Sequence, residues 1–195
     1  MKRITELFKR MTLGFLLAAV PMLGGCGDNT QTCQEEVKLL DGRVTVITKK
    51  YGFQRGVFRE SWITLKLPET DNQETIWHEH LMPENLNVVS GKLYIVGIPW
   101  TDVEYLMYDK PSPEYIGYVF ENNAWRRIPF NEIPVAMYDM NVLTNAPDPD
   151  LPRLITLDEK NKLFADPRRA KDGVRINPAE RNPNEAAYRN YNKHD

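Results

Sequence analysis

Two histidines separated by one residue are the side chains of this sequence best suited to bind a metal ion. His78 and His80 fall in the run Thr75–His80, whose pattern predicts a short β-strand. Side chains at i and i+2 of a strand project from one face, so both imidazoles could reach one ion, with Glu84 or a distant carboxylate as a third ligand. A polar strand face beside Trp77 on the opposite side explains the same pattern. We therefore expect no bound metal and no other cofactor.

The patterns of common catalytic sites are incomplete in this chain. None of its three serines lies in a Gly-x-Ser-x-Gly elbow, and glycine motifs that cradle phosphates are absent. Cys33 shows no histidine pairing that would lower its thiol pKa. Glu35 and Glu36 alternate onto opposite faces of a strand, which separates the two carboxylates. We expect no enzyme. The alternative is a site assembled from scattered residues, namely His78, His80, Asp102 and Asp139.

The aromatic residues suggest a binding surface as a further possibility. The chain has four tryptophans and nine tyrosines, and the candidates for ligand contact are Trp62, Trp100 and Tyr115. Rings exposed on a sheet would stack on sugar rings or on a peptide. A β-sheet of this size also fills its core with aromatic side chains, and that core role is our expectation.

The first residues of the chain form a leader with three parts. A basic start holds Lys2, Arg3, Lys9 and Arg10, and an apolar run covers residues 11–20. This order, followed by small residues, predicts a secretory signal peptide over residues 1–25. A membrane-spanning helix would need about 20 apolar residues, and here Pro21 breaks the run earlier.

The cysteine behind the leader indicates how the chain is anchored. Leu23-Gly24-Gly25-Cys26 resembles the lipobox of bacterial lipoproteins. The resemblance implies that the leader is removed and that Cys26 carries acyl chains such as palmitate on its thiol and its new amino group. Several chains together hold a protein stably on a bilayer, whereas one chain binds marginally. By resemblance to the sorting pattern of such lipoproteins, Gly27 favours the periplasmic face of the outer membrane, and Asp28 keeps the inner membrane as an alternative.

Four phrases of the chain carry a second resemblance. They are Cys33-Gln-Glu-Glu-Val-Lys-Leu, Gly91-Lys-Leu-Tyr-Ile-Val-Gly, Tyr115-Ile-Gly-Tyr-Val-Phe and Trp125-Arg-Arg-Ile-Pro-Phe-Asn-Glu-Ile-Pro134. From Cys33 to about Leu143 the sequence resembles uncharacterised membrane-anchored lipoproteins of proteobacteria. The resemblance implies a compartment and no activity, and it transfers no catalytic or binding residue.

Three turn signals predict β-hairpins. They are Asp41-Gly42, Ser90-Gly91 and Asn122-Asn123, each between alternating or β-branched residues. For the first hairpin we expect strands at about 35–40 and 43–49. We expect a loop over 51–59, because it holds two glycines, and a strand at Glu104–Tyr108.

The fold class follows from these patterns. We predict a mainly β fold, an antiparallel sandwich or curled sheet of about seven to eight strands. A Pro-rich irregular segment follows, with one short helix over Leu157–Phe164. The expected domains are the signal peptide 1–25, a tether 26–34, a β-rich periplasmic domain 35–164 and an extended or disordered tail 165–195.

Charge and compartment limit the partners. The chain has a net charge of −2, and residues 1–25 hold four basic residues and one acidic residue, so the remainder is more acidic than the whole and unsuited to nucleic acid. With Cys26 acylated, Cys33 is the only other cysteine, and the core must hold the fold without disulfides. We expect a non-enzymatic binding or structural module. Its partners would be the membrane, through Cys26, and an envelope protein or cell-wall glycan.

Overall fold

Nine strands and two short helices make up the described part of this computed structural model, which covers residues 29–144, 154–165 and 176. The strands are β1 (Asn29–Lys38), β2 (Val44–Gln54), β3 (Val57–Lys66), β4 (Glu74–Glu79), β5 (Met82–Val89), β6 (Lys92–Ile98), β7 (Ile116–Glu121), β8 (Ala124–Ile128) and β9 (Leu154–Ile155). The helices are α1 (Asp102–Met107) and α2 (Leu157–Phe164), with 3-10 turns at Pro68–Thr70, Phe130–Glu132 and Val135–Tyr138. The predicted mainly β fold is confirmed.

The strands form two sheets that pack against each other. One sheet has five strands in the order β4-β3-β2-β1-β9, and the other has four in the order β5-β6-β7-β8. Neighbouring strands are antiparallel except β9, which runs parallel to β1. Side chains of both sheets meet in one core, for example Ile47 and Trp77 from the first and Leu86 and Ile95 from the second. This is the sandwich arrangement.

All three predicted hairpins are confirmed. β1 pairs with β2, β5 with β6 and β7 with β8. Gly42 has φ +88°, Ser90 and Gly91 have φ +51° and +75°, and Asn122 and Asn123 have φ +53° and +58°. In the second and third hairpins, paired positive φ values match the right-handed twist of the strands, and in the first Gly42 alone has a positive φ.

Two predictions of local structure are wrong. The expected loop at 51–59 is a hairpin, in which β2 and β3 join through Arg55 and Gly56 at φ +53° and +78°. The expected strand at Glu104–Tyr108 belongs instead to α1. Thr101 caps that helix by accepting from the Val103 N–H, and the Glu104 carboxylate accepts from the Thr101 N–H at 2.9 Å. This capping box satisfies the backbone N–H groups at the start of the helix, which in a strand would bond to a neighbouring strand.

The predicted tether over 26–34 extends too far, because β1 already begins at Asn29. Its first six residues pair with β2 in regular register, from Asn29 opposite Phe53 to Gln34 opposite Thr48. The predicted signal peptide and residues 26–28 lie outside the described residues, as does most of the predicted tail.

Ile176 shows that one residue of the predicted tail packs on the domain. It is 1% exposed, and its N–H donates to the Tyr138 carbonyl at 2.7 Å. The predicted helix at Leu157–Phe164 is confirmed as α2, with Thr156 as its N-cap. Among the described residues, neither helix is long and apolar enough to cross a membrane.

Three charged side chains lie together in the interior. Glu35 of β1 pairs with Lys49 of β2 at 2.6 Å and with Lys160 of α2 at 3.1 Å. Lys49 Nζ also donates to the Leu143 carbonyl at 2.7 Å, and Lys160 Nζ donates to the Glu36 carbonyl at 2.8 Å. We call Glu35, Lys49 and Lys160 the buried charge cluster. It joins β1, β2 and α2 to the segment that ends near Leu143.

The electrostatics of this cluster extend to its neighbours. Burial lowers the pKa of Lys160, and Glu35 offsets this only in part. Burial acts on Lys49 in the same direction, but the nearby Tyr51 and Glu35 outweigh it and raise the pKa of Lys49. Burial raises the pKa of Tyr51 to about 12, against the opposing effect of Lys49. Burial likewise raises the pKa of Cys33, so this free cysteine stays a thiol and not a nucleophilic thiolate.

Replacing Glu35 tests whether the buried charge cluster stabilises the fold. Glu35→Gln leaves two buried ammonium groups without their carboxylate, and breaking a buried ion pair costs about 3–5 kcal/mol. We expect the free energy of unfolding, measured by urea denaturation, to fall by about that amount. The control is Glu74→Gln, at an exposed residue of β4, which should change it by less than about 0.5 kcal/mol. Equal effects of the two substitutions would contradict this role.

Candidate functional site

A pocket of about 290 Å³ opens where β1 begins, between the ends of four neighbouring strands. Its lining comes from β1, β2, β3 and the residue after β4, and comprises Asn29, Thr30, Gly52, Phe53, Gln54, Arg59, Glu60 and His80. One cation, one carboxylate, one imidazole and three uncharged polar side chains surround one phenyl ring. The pocket therefore offers hydrogen-bond donors and acceptors in a small volume.

Gly52 sets the shape of the pocket. A Cβ at this position would lie 2.9 Å from Glu60 Cγ and 3.3 Å from Trp62 Cζ3. Two side chains of β3 therefore pack over the bare backbone of β2. The ladder between β2 and β3 shifts register between Gly52 and Phe53, a bulge that redirects the following side chains.

A row of three side chains crosses the outer face of the five-stranded sheet beside the pocket. Lys50, Trp62 and His78 are cross-strand partners on β2, β3 and β4. Lys50 Nζ lies 4.6 Å from the Trp62 ring centroid, and the His78 ring stacks on Trp62 at 4.4 Å with an angle of 13°. His78 Nε2 is 2.7 Å from a carboxylate oxygen of Glu60. The row thus links the outer face to the pocket through Glu60.

His80 is held by different partners. Its Nδ1 lies 2.8 Å from the Arg59 carbonyl, and because a carbonyl only accepts, Nδ1 carries the proton. Its backbone N–H donates to the Tyr108 hydroxyl at 3.2 Å, and that hydroxyl donates to Glu79 at 2.8 Å. Burial raises the pKa of Tyr108, and the bond to Glu79 adds to the rise. Tyr108 therefore stays protonated and fastens the end of α1 to the end of β4.

Helix α1 lies beside the pocket and turns part of its apolar surface outward. Arg59 reaches from the pocket to Glu104 of α1 at 3.4 Å. Glu104 and Tyr105 are buried on the inner side of the helix. On the outer side, Val103 (54%), Leu106 (50%) and Met107 (54%) are about half exposed, as is Trp100 (49%), which precedes the helix by two residues.

The candidate metal ligands weighed from the sequence contact other groups. His78 contacts Glu60 and Trp62, and His80 contacts the Arg59 backbone. Glu84, the suggested third ligand, is 3% exposed on β5. Across the described ranges, no group of three or more His, Cys, Asp or Glu side chains is arranged to hold a metal ion.

The other predicted site residues are scattered over the domain. Trp62 is half-buried in the row described above, and Trp100 is exposed before α1. Tyr115 is 6% exposed and packs with Phe130 in a second core cluster. Asp102 begins α1, whereas Asp139 follows the last 3-10 turn, whose residues contact β5.

Sequence reasoning missed most of the pocket. Asn29 and Thr30 fell in the predicted tether, and Gly52, Phe53 and Arg59 fell in the predicted loop. The signal that could have found them is Val57 and Phe58, two residues of high β propensity directly after Gly56. Read with Gly56 as a turn residue, it predicts a hairpin and brings these residues together.

Comparison of the chain with protein-family models, with curated proteins and with solved structures found no match. The chemistry of the site is therefore inferred from its own geometry. Arg59 and the polar side chains around it suit the binding of a polar group, and Cys33, the one cysteine of the described residues, is buried as a thiol away from the pocket lining.

A double-mutant cycle tests the packing at Gly52. Gly52→Ala places a methyl group against Glu60, and overpacking of this kind costs about 1–3 kcal/mol. We expect Glu60→Ala to remove much of that cost, so that the double variant is more stable than the sum of the single effects predicts. Urea denaturation of the four proteins measures the coupling. Strict additivity would show that the two residues do not share this space.

Proposed function

We propose that this protein is a bacterial envelope lipoprotein whose β domain binds a partner through the pocket at the start of β1, without catalysing a reaction. The leader and the Leu23–Cys26 phrase support acylation of Cys26. The observation that carries the proposal is the position of the pocket. Its rim begins at Asn29, three residues after Cys26, so the two Cα atoms are at most about 11 Å apart.

The chemistry of the pocket supports a polar ligand group. Arg59 supplies a cation, Glu60 a carboxylate, and Asn29 and Gln54 supply amides that both donate and accept. A volume of about 290 Å³ is at the lower end of ligand pockets, so it suits one residue or one ring of a larger partner. The partner would be an envelope component that presents such a group close to the membrane.

The glycan-stacking alternative is less well supported. Trp62 has Lys50 on one side and His78 on the other, since the three residues lie on consecutive strands. Tyr115 is buried, which leaves Trp100 as the exposed ring of the three candidates. Sugar binding in proteins commonly uses an open aromatic face, and neither Trp62 nor Tyr115 presents one.

The anchoring part of the proposal is tested with Cys26→Ser in the full chain. Without the thiol no diacylated cysteine forms, so we expect a precursor that is uncleaved or unlipidated and that fractionates differently from the parent protein. Intact-mass measurement of the parent protein should show a chain that begins at Cys26 and carries acyl mass. A mature protein cut elsewhere without acyl mass would overturn the anchor.

The binding part is tested by photocrosslinking in intact cells. A benzoylphenylalanine residue replaces Gln54, which is exposed at the pocket rim, or Gln73, which is exposed at the other end of the five-stranded sheet. We expect a discrete crosslinked species from position 54 that is absent from position 73. Arg59→Ala should weaken it several-fold. The same yield from both positions would contradict a partner at the pocket, and turnover of a substrate by the pure protein would contradict a purely binding role.

A further inference from the structure

We propose that the outer side of α1 docks on the surface of the lipid bilayer in which Cys26 is anchored. Its contact residues are Trp100, Val103, Leu106 and Met107, which we call the apolar helix face. This inference rests on the proposed acylation of Cys26. It adds a second membrane contact to the chain, which would fix how the pocket is oriented above the membrane.

The apolar helix face has the pattern of a docking surface and not of a core. Residues 103, 106 and 107 are spaced i, i+3 and i+4, so they lie on one side of a helix. Each is at least half exposed, whereas Glu104, Tyr105 and Tyr108 on the other side are buried. Helix α1 therefore packs on the domain with a mixed polar and aromatic side and leaves its aliphatic side in contact with solvent. Contiguous exposed apolar residues of this kind mark interaction surfaces.

The position of α1 brings this face to the anchored end of the domain. Arg59 lines the pocket together with Asn29 and contacts Glu104 of α1. Tyr108 at the end of α1 bonds to Glu79 at the end of β4. β4 is three strand spacings from β1, which is roughly 14 Å. Because Cys26 lies at most about 11 Å from Asn29, the helix and the acylated residue are within a few nanometres on the same side of the molecule.

The chemistry of the face fits a bilayer interface. A tryptophan side chain prefers the region of lipid headgroups, where its ring is apolar and its N–H stays hydrated. Amphipathic helices lie in this region with aliphatic side chains buried about 5–10 Å. Arg55, at the exposed β2–β3 turn on the same end of the sheet, is placed to meet anionic headgroups.

The bilayer is favoured over another protein because the anchor already holds the domain there. Once Cys26 is in the membrane, contact of α1 with lipid is an intramolecular step with a high effective concentration. A second copy or a separate protein would have to be recruited at additional entropic cost. A six-residue helix with three exposed apolar residues, together with Trp100 just before it, is too weak to hold the domain by itself, and the anchor removes that requirement.

Fluorescence quenching by brominated lipid tests the inference. The acylated full chain and its Trp100→Phe variant are reconstituted into vesicles of phosphatidylethanolamine and phosphatidylglycerol, with and without brominated acyl chains. Trp62, Trp77 and Trp125 are common to both proteins, so their difference reports Trp100. We expect brominated lipid to quench the wild type at least two-fold more than the variant. Equal quenching in two acylated, vesicle-bound proteins would overturn the inference and leave the anchoring intact.

A matched pair of leucine substitutions locates the contact. Leu106 is 50% exposed on α1, and Leu40 is 52% exposed in the β1–β2 turn at the far end of β1. We expect Leu106→Glu to lower Trp100 quenching to the background given by Trp100→Phe, and Leu40→Glu to leave it unchanged. Circular dichroism checks that both variants keep the β fold. Equal effects of the two substitutions would overturn the assignment to this helix.

Two further outcomes are decisive. A dimer in detergent that dissociates in Leu106→Glu, together with no quenching difference, would assign the face to a second copy and overturn the bilayer contact. Absence of acyl mass on Cys26, with no binding to vesicles, would overturn the proposed anchoring and this inference with it. Intact-mass measurement separates that case from failure of the helix contact alone.

Discussion

The pairing of Glu35 with Lys49 and Lys160 is the interaction on which the rest of the domain depends. One carboxylate and two ammonium groups carry an excess positive charge into the interior, and the backbone carbonyls of Leu143 and Glu36 accept further hydrogen bonds from Lys49 and Lys160. Desolvating charges is costly, so such a group persists only when nearly every donor is satisfied. The cluster stabilises the contact between distant parts of the chain, because its bonds hold α2 and the segment near Leu143 against β1 and β2.

The same cluster orients the strand that leads to the pocket. On β1 the inward side chains include Cys33, Glu35 and Val37, so the intervening residues point outward. A slip of one residue would turn Glu35 into solvent and leave two lysines buried without it. The pairing of β1 with β2 is therefore fixed at Glu35, which lies in the same strand as Asn29 and Thr30. That fixed register keeps both residues opposite Phe53 and Gly52 at the rim of the pocket.

The sequence predicts those features that local chemistry determines. Residue types that tolerate positive φ predicted the turns of three hairpins. Thr156, followed by acidic residues, predicted the start of α2. The hairpin at Arg55 was missed because arginine seldom adopts positive φ, so composition gave a loop. α1 was missed although Thr101 and Glu104 have the spacing of a capping box, because six residues are too few for a helical period to stand out. The pocket and the buried charge cluster join residues distant in the chain, and no local pattern encodes such contacts.

The proposed anchor at Cys26 would orient the pocket and α1 toward the membrane. A connection of three residues is too short to let the domain turn freely above a membrane, so the end of the sheet where β1 begins would face the lipid. The pocket and α1 lie at that end and share Arg59, whose guanidinium contacts Glu104. A change at α1 would therefore reach the pocket through one ion pair. Because that pair is partly exposed, it is worth little by itself, and the position of α1 depends mainly on buried Tyr105 and Tyr108.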